Sequence, residues 1–315
     1  MVRKKNVAGA QKAGAIKNLK RIGRCWQLYV LMLPALVYIV LFAYKPMYGI
    51  LIAFKDYSMK KGILASPWVG FKNFERLFSS YWFPIILKNT LTISLLSLVI
   101  GFPIPIILAL LLNEVKSNKF RSMVQTFSYA PHFISMVVMC GMVAMFLSPT
   151  SGIINKLLNA LGMESVFFMQ EARLFKWVYV LSGVWQGAGW SSVIYYAALS
   201  GVDKSLLEAA DMDGATRLQK IWHVNLPVIM PTILVMLILQ CGSLLSVGYE
   251  KAYLLQTSSN LTGSEIISTY VYKVGLVQSD FSFSTAAGLF NTVVNCVILV
   301  SANQLSKKVA KTGLF

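Results

Sequence analysis

Charge is scarce in this 315-residue chain, and acidic charge is the scarcest. Only 13% of the residues are charged and just 12 are Asp or Glu, whereas 56% are hydrophobic. A soluble domain seldom combines so little charge with so much apolar surface, so the composition favours an integral membrane protein. The formal net charge is +17, and the basic residues cluster beside apolar runs. This placement fits the positive-inside rule better than nucleic-acid binding, so no nucleic-acid partner is expected.

Cysteine and histidine are also rare, and their placement argues against metal and redox chemistry. The four cysteines show no CxxC spacing, and Cys140, Cys241 and Cys296 fall inside apolar runs. We interpret them as buried free thiols rather than as metal ligands or disulfide partners. The two histidines, His132 and His223, have no ligand partners near them in the sequence. We interpret both as structural, and we expect neither a catalytic nor a metal site.

Apolar runs of membrane length are abundant. A membrane-spanning helix needs roughly 20 mostly apolar residues. Six runs qualify: residues 28–44, which can extend to 54, and residues 85–112, 123–147, 177–199, 228–247 and 285–302. The sequence therefore predicts an all-α integral membrane protein with six transmembrane helices.

The positions of Lys and Arg predict the orientation. Residues 1–24 carry eight basic residues and no acid, and the 2–3 and 4–5 connections and the C-terminal tail are also basic. With six spans these segments share one side, which the positive-inside rule assigns to the cytoplasm. We expect a cytoplasmic tail at residues 1–27, a transmembrane domain at 28–305 and a cytoplasmic tail at 306–315. A cleaved signal peptide is the alternative for the N-terminus, but no small-x-small site follows the first run.

The segment between the fourth and fifth runs is unexpectedly acidic. Four acids fall within eleven residues there: Asp203, Glu208, Asp211 and Asp213. A simple turn between membrane helices needs no such sequence, so the segment indicates a docking surface for a soluble partner. The alternative is an amphipathic connector lying on the membrane, and four acids facing an anionic leaflet argue against it.

Local signals in this segment predict a helix–turn–helix elbow. Asp203 is placed to cap a helix of about ten residues, and Gly214 permits the left-handed conformation that ends it. A second short helix follows. Pro227 and Pro231 are expected to break it and to begin the fifth span. The elbow would project into the cytoplasm, where Glu208 offers a carboxylate to a basic residue of a partner.

The same segment resembles the EAA loop of bacterial ABC importer permeases. It reads Glu208-Ala209-Ala210-x-x-Asp213-Gly214-Ala215, followed by Leu226-Pro227 and Pro231. In that family the loop forms coupling helices that sit in a groove of the ATPase subunit. The resemblance implies a type I ABC importer permease fold with its coupling loop at residues 203–231. It also implies that the matching residues transmit ATP-driven closure: Glu208, Ala209, Ala210, Asp213 and Gly214.

Other segments extend the resemblance over the chain. Residues 53–57 and 68–74 look like the sugar-importer permeases of the maltose type. Residues 248–255 and 267–272 resemble a branch often described as polysaccharide or lipoprotein permeases. Members of that branch usually accompany plant-polysaccharide degradation in Gram-positive bacteria, which implies an oligosaccharide substrate of that origin. One departure is Glu265, where Asp is expected; the charge is kept.

The chain lacks a GxxxxGK[ST] phosphate loop, so ATP hydrolysis must occur on a separate chain. The resemblance implies a non-catalytic permease without a cofactor of its own, in a bacterial cell membrane. The implied partners are a second homologous permease, two ATPase subunits that bind ATP and Mg, and an extracellular sugar-binding lipoprotein. The alternative function is an ion-coupled secondary transporter of a small polar solute. That class uses titratable residues in mid-span, whereas Glu250 and Lys251 are predicted at a span edge.

Polar side chains within apolar runs indicate a transport path, because they are costly in hydrocarbon. Six such residues fall in the last three runs: Gln186, Trp190, Gln240, Ser243, Asn291 and Asn295. In maltose-type permeases the equivalent regions line the sugar site, so the resemblance implies that these six line a path for the oligosaccharide. Individually, such residues also serve as interface anchors or as polar contacts between helices.

Overall fold

The computed structural model describes residues 26–310, with side chains through residue 308. The predicted tail at residues 1–27 lies almost entirely outside this range. Within it the backbone forms helices and their connections, and an isolated β-bridge joins Lys55 and Trp68. The prediction of an all-α chain is therefore confirmed for the part that the structure describes.

We number the helical segments of residues 26–310 in chain order. They are α1 (Trp26–Phe54), α2 (Gly62–Ala65), α3 (Lys72–Phe78), α4 (Trp82–Glu114), α5 (Asn118–Phe133), α6 (Met136–Phe146), α7 (Ile153–Ala160), α8 (Ala172–Leu199), α9 (Lys204–Met212), α10 (Arg217–Gly242), α11 (Tyr249–Leu255), α12 (Leu261–Ser264), α13 (Ile267–Tyr272, continued by the π-helical turn Lys273–Val277) and α14 (Phe281–Ala310).

Four of these helices, α1, α4, α10 and α14, are long and apolar enough to cross a membrane. The pair α5 and α6 meets the same criterion when taken together, which makes up to five spans. Helix α8 has 28 residues, about 42 Å at the usual rise, but it is not among the helices that are sufficiently apolar. A sixth span therefore depends on α8 and stays a prediction.

The third predicted span is broken rather than straight. Helices α5 and α6 are bent by 104° relative to each other. Helix α5 ends in a 3-10 turn that contains Pro131, and the Ser135 hydroxyl caps α6 by accepting the N–H of Val138. The prediction of one continuous helix over residues 123–147 is wrong, because proline removes a donor at the break and a serine cap starts a new helix after it.

Helix α10 begins earlier than the predicted fifth span and passes through both of its prolines. A π-helical turn at Ile221–Asn225 precedes Pro227, and Pro231 lies inside the helix. The expectation that these prolines break the helix is wrong. The wider π turn accommodates a residue without an N–H, and neighbouring elements in a membrane bundle can satisfy the freed carbonyls.

Helix α8 is the centre of the described bundle. One buried cluster joins it to α4, α6 and α11 and includes Met139, Phe175 and Leu255. A second cluster joins it to α4 and α10 and includes Tyr195 and Ile229. The hydrophobic core therefore holds α8 against α4, α6, α10 and α11.

The first and last helices extend to either side of this bundle. The apolar stretch of α1 contains no buried residue, and its final segment, Tyr48–Phe54, packs on α14. Helix α14 continues to Ala310, beyond the predicted boundary at residue 305, so the tail predicted for residues 306–315 begins as helix.

Candidate functional site

The polar segment after α8 forms a compact elbow, which we define as residues 203–225. Its first arm is α9. The Asp203 carboxylate caps this arm by accepting the N–H of Ser205 at 2.9 Å, as predicted. This backbone hydrogen bond lowers the pKa of Asp203 below its usual value, because the bond favours the charged form. The cap is thus fully charged at neutral pH.

The two arms meet in a tight turn at Gly214. Its φ is +74°, in the left-handed region predicted for this position. The N–H of Ala215 reaches back to the carbonyl of Ala210 at 2.9 Å, which satisfies one of the free carbonyls at the end of α9. A side chain at position 214 would be strained by this backbone conformation.

The second arm is the first part of α10, and polar contacts fix it. Thr216 and Gln219 form a reciprocal capping box, in which the N–H of Thr216 donates to the Gln219 side chain at 2.7 Å. An ion pair of 2.6 Å between Lys220 and Asp211 joins the two arms. Three features together therefore hold the angle between the arms: the left-handed backbone at Gly214, the capping box and the ion pair between the arms.

The outer face of the elbow combines free charge with bare apolar surface. Glu208, Ala209, Asp213 and Gly214 are exposed and Ala210 is half-buried. Glu208 makes no ion pair among the residues that the structure describes.

Large apolar side chains surround these residues. Met212 is 89% exposed and Trp222 is 64% exposed, and Leu206 and Leu218 are also exposed. An apolar patch of this kind with polar neighbours is typical of a protein interface.

A cavity of about 230 Å³ lies between α4, α8 and α10, and we call it the central cavity. Small residues of α4 and α8 make room for it: Gly101, Gly183, Gly187 and Ala188 line it. Its polar groups come from all three helices: Ser97, Tyr179, Ser191, Tyr195 and Gln240. Ser97 and Gly101 belong to a π-helical turn within α4, an irregularity often found at functional sites.

Of the six residues predicted for the path, Gln240 is the one that lines the central cavity. Gln186 instead donates to the carbonyl of Ile134 at 3.1 Å. Trp190 stacks on His132 with ring centroids 4.8 Å apart. Gln186 and Trp190 thus hold the broken third span against α8.

The remaining three predicted path residues lie near the end of α10 and in α14. The Ser243 hydroxyl donates to the carbonyl of Gln240 at 3.2 Å. Asn295 accepts the N–H of Leu245 at 2.9 Å and so connects α14 to the end of α10. Asn291 lines a separate cavity of about 360 Å³ beside the stacked rings of Tyr249 and Tyr272. The six residues therefore do not share one cavity. Helix α10 ends at Gly242 and the chain bends before α6, so these side chains contact different neighbours.

Sequence reasoning missed Lys251, which was placed at a span edge. The side chain is only 5% exposed. Its ammonium donates to the carbonyl of Tyr179 at 2.6 Å and lies 4.4 Å from the centre of the Tyr179 ring. Lys251 is followed four residues later by the buried Leu255, so helical spacing places both on one inward face. This four-residue spacing is the feature of the sequence that indicates burial of Lys251.

Comparisons with known proteins agree with this architecture. The family described as binding-protein-dependent transport system inner membrane component matches residues 101–311. The chain belongs to this family. As a member, it is a membrane component of an ABC importer and a non-catalytic permease subunit, with the ATPase on a separate chain. The alternative of an ion-coupled secondary transporter is not favoured.

Individual relatives are similar over nearly the whole chain. The polygalacturonan/rhamnogalacturonan transport system permease protein YteP of Bacillus subtilis is 46% identical over 91% of this chain and 90% of its own length. Protein LplB of the same organism is 42% identical over 100% of this chain and 99% of its own.

A solved structure shows the same fold. A chain of the bacterial alginate ABC transporter, crystallised with an alginate pentasaccharide-bound periplasmic protein, superimposes with a TM-score of 0.87. The two chains are 43% identical, over 94% of this chain and 99% of the other. The fold of residues 26–310 is therefore that of an ABC importer permease.

Proposed function

We propose that this chain is one of two permeases in an ATP-driven, binding-protein-dependent importer of an acidic oligosaccharide derived from a plant polysaccharide. The observation that carries the mechanism is the continuity of α10. Its first turns form the second arm of the exposed elbow, and Gln240, near its other end, lines the central cavity. Residues 217 and 240 are 23 positions apart, which corresponds to about 35 Å of helix.

This continuity provides a physical connection between docking and transport. The elbow offers the carboxylate of Glu208, which has no ion-pair partner among the described residues, small residues that allow close approach, and an apolar face that a partner can bury. A displacement imposed on the elbow by the ATPase subunits would move α10 as a rigid element and so reshape the cavity wall at Gln240. In this proposal Glu208, Ala209, Ala210, Asp213 and Gly214 form the ATPase contact.

The names of the relatives support the class of substrate. YteP is described as a permease for polygalacturonan and rhamnogalacturonan, and the matching solved structure belongs to an importer of alginate, an acidic polysaccharide. Uronate sugars are common to these polymers. The central cavity, with its hydroxyl, phenol and amide groups, offers the hydrogen-bonding groups that a sugar requires.

The volume of the cavity supports an alternating-access mechanism. At about 230 Å³ it is smaller than the roughly 300–1,000 Å³ typical of small-molecule sites. An oligosaccharide therefore needs the cavity to widen, either by movement of α10 or by a contribution from the second permease. Gln240 is the predicted path residue best placed to contact sugar in the widened state.

In the proposed importer, further subunits contact surfaces that this chain leaves exposed. The apolar stretch of α1, which has no buried residue, offers a surface to lipid and to the second permease. Two ATPase subunits would bind ATP and Mg and dock on the elbow, and a sugar-binding lipoprotein would deliver substrate from outside. We propose six spans with both termini cytoplasmic in a bacterial cell membrane, because this places the elbow where an ATPase can reach it.

The test is ATP-dependent uptake by the complete importer in proteoliposomes, with labelled trigalacturonate and its binding protein supplied outside. Glu208→Lys should reach the membrane at the normal level but lose most uptake, since it reverses the docking charge. Glu164→Lys, at an exposed acid in a different connection, is the matched control and should transport normally.

Normal uptake by Glu208→Lys would overturn the coupling assignment. Uptake driven by an ion gradient without ATP would instead favour the secondary-transporter alternative. Failure of the unmodified importer to move any oligosaccharide would reject the proposed function itself.

A further inference from the structure

Cationic side chains line the groove between α4 and α8 at one end of the bundle. A cavity of about 260 Å³ opens there, and we call it the terminal cavity. Its walls carry Lys88 and Asn89 from α4, and Arg173 and Lys176 from α8. Three cations around one small space form a positively charged site whose ligand would be an anion.

The terminal cavity and the central cavity are lined by the same faces of α4 and α8, and the buried side chains of Ile93 and Val180 lie where the two cavities adjoin. On α8, residues 173 and 176 line the terminal cavity, and residues 180, 183 and 187 line the central one. This spacing of three or four residues marks a single helical face. On α4, residues 89 and 93 and then 97 and 101 repeat the pattern. From residue 176 to residue 183 the groove advances about 10 Å.

A fourth cation lies further along this groove. The ammonium of Lys251 bonds to the carbonyl of Tyr179, and a Cβ added at Gly183 would lie 2.9 Å from it. Tyr179 and Gly183 both line the central cavity, so Lys251 stands immediately behind its wall. The absence of a side chain at Gly183 leaves the ammonium close to the cavity.

Most of these charges lack a counter-charge. Arg173 forms an ion pair with Glu171 at 3.0 Å, which is largely exposed. Lys88, Lys176 and Lys251 form no ion pair among the side chains that the structure describes. Removing an ammonium from water is costly unless an anion compensates it, and Lys251 has only one carbonyl and an aromatic face.

We propose that this groove is a cationic track for the carboxylates of an acidic oligosaccharide. Lys88, Lys176 and Arg173 receive a uronate at the outer end, and Lys251 attracts a carboxylate further along the chain as it reaches the central cavity. A polyuronate carries one carboxylate on each sugar, so repeated cations match repeated charges. The inference rests on the proposed function and on the orientation proposed with it, which places the terminal cavity outside. The position of the terminal cavity on the same helix faces as the central cavity favours a sugar over a phospholipid headgroup.

The experiment measures equilibrium binding of trigalacturonate to the purified importer in nanodiscs of zwitterionic lipid, without the binding protein. The comparison ligand is trigalacturonate with all three carboxylates methyl-esterified, which has the same sugars but no charge. The unmodified importer should bind the acid more tightly than the ester. The double variant Lys88→Gln/Lys176→Gln should bind the acid about tenfold more weakly and the ester unchanged, because each exposed contact contributes up to about fivefold.

Two further variants sharpen the result. Lys251→Gln should weaken binding of the acid at least about tenfold, because its ammonium is buried. Lys156→Gln removes an exposed lysine that lies outside this groove and should bind normally. Since Lys88 is exposed and Lys176 half-buried, their replacement should leave folding intact even if Lys251→Gln proves unstable.

Equal binding of acid and ester, or unchanged binding by the double variant, would overturn the track. In a separate arm, phosphatidylglycerol is added to the nanodiscs. Loss of phosphatidylglycerol binding by the double variant, with no change in sugar binding, would also overturn the track and would assign the site to lipid headgroups. If the importer takes up neutral oligosaccharides with ATP but does not bind trigalacturonate, the track fails while the sugar-importer function stands. Absence of any ATP-driven sugar uptake would instead reject the function.

Discussion

At the scale of single residues, Gly214 determines the shape of the elbow. Its φ of +74° costs an ordinary L-residue about 1–2 kcal/mol, and a β-branched side chain is the least suited to it. No neighbouring atom lies within 4 Å of where a Cβ would be, so the constraint comes from the backbone and not from crowding.

We therefore expect Gly214→Val to insert into the membrane normally but to impair ATP-dependent uptake and co-purification with the ATPase. Strain confined to a turn changes the angle between the arms without unfolding the bundle. Gly162→Val is the matched control, because Gly162 also has a positive φ (+80°) and open space around it, but lies in a different connection. Equal losses in the two variants would show that backbone strain alone, rather than its position at the elbow, explains the defect.

Glu265 and Lys251 are both buried charged residues in the connection between α10 and α14. Glu265, the departure from the expected Asp, is 4% exposed and pairs with Lys273 at 2.5 Å, while Thr269 donates to its other oxygen. Lys251 is equally buried but has no carboxylate partner among the described residues. Two buried charges in one connection thus have different explanations, since one belongs to a satisfied network and the other borders a cavity.

At the scale of helices, α5 and α8 cross in close contact. At Gly189 a Cβ would overlap the backbone carbonyl of Ser128, so the two helices touch through their main chains. Close approach of this kind, through small residues, is a common way for membrane helices to associate. Trp190 and Gln186 then fasten the adjoining turn of the broken span.

Gly189→Ala should destabilise the bundle by about 1–3 kcal/mol, as an overpacked contact does, because a backbone carbonyl cannot rotate away. The measurement is the amount of folded protein in the membrane and the melting temperature of the purified complex. Gly187→Ala, in the same helix with nothing within 4 Å of its added Cβ, should remain as stable as the unmodified chain. A normal melting temperature for Gly189→Ala would contradict the close crossing.

At the scale of the whole molecule, the proposed mechanism depends on which side each connection faces. In the proposed six-span topology the elbow is cytoplasmic, and the connection between α10 and α14 is outside. Arg217 and Ser259 are both exposed and report on the two sides. Position 217 is preferable to position 216, since Thr216 forms the capping box.

In a chain with its native cysteines replaced, Arg217→Cys should resist an impermeant thiol reagent in intact cells and react after permeabilisation in the absence of the ATPase. Ser259→Cys should react from outside. Labelling in the opposite pattern would invert the orientation and remove the elbow from the reach of any ATPase. Labelling of both residues from one side would show that no span, or an even number of spans, separates them, and would contradict a single crossing by α10.

Much of the architecture was predictable because its signals are local. The length of apolar runs indicates membrane helices, and α1, α4, α10 and α14 agree with four of the six predicted runs. The cap at Asp203 and the turn at Gly214 follow from side-chain and backbone chemistry within a few residues. The ordered motif from Glu208 to Ala215 resembles one family, and comparison over residues 101–311 confirmed that family.

Tertiary structure decided everything that depends on how distant segments meet. Because the chain breaks between α5 and α6, Gln186 and Trp190 contact residues of that break. After α10 the chain folds so that Asn295 bonds to the end of that helix. Of the six predicted path residues, Gln240 is the one that lines the central cavity. The same fold buried Lys251 beside Tyr179 and brought Lys88 together with Lys176. Hydropathy and periodicity record which face of a helix is apolar, but the burial of a polar group depends on contacts made across the chain, which sequence spacing alone does not contain.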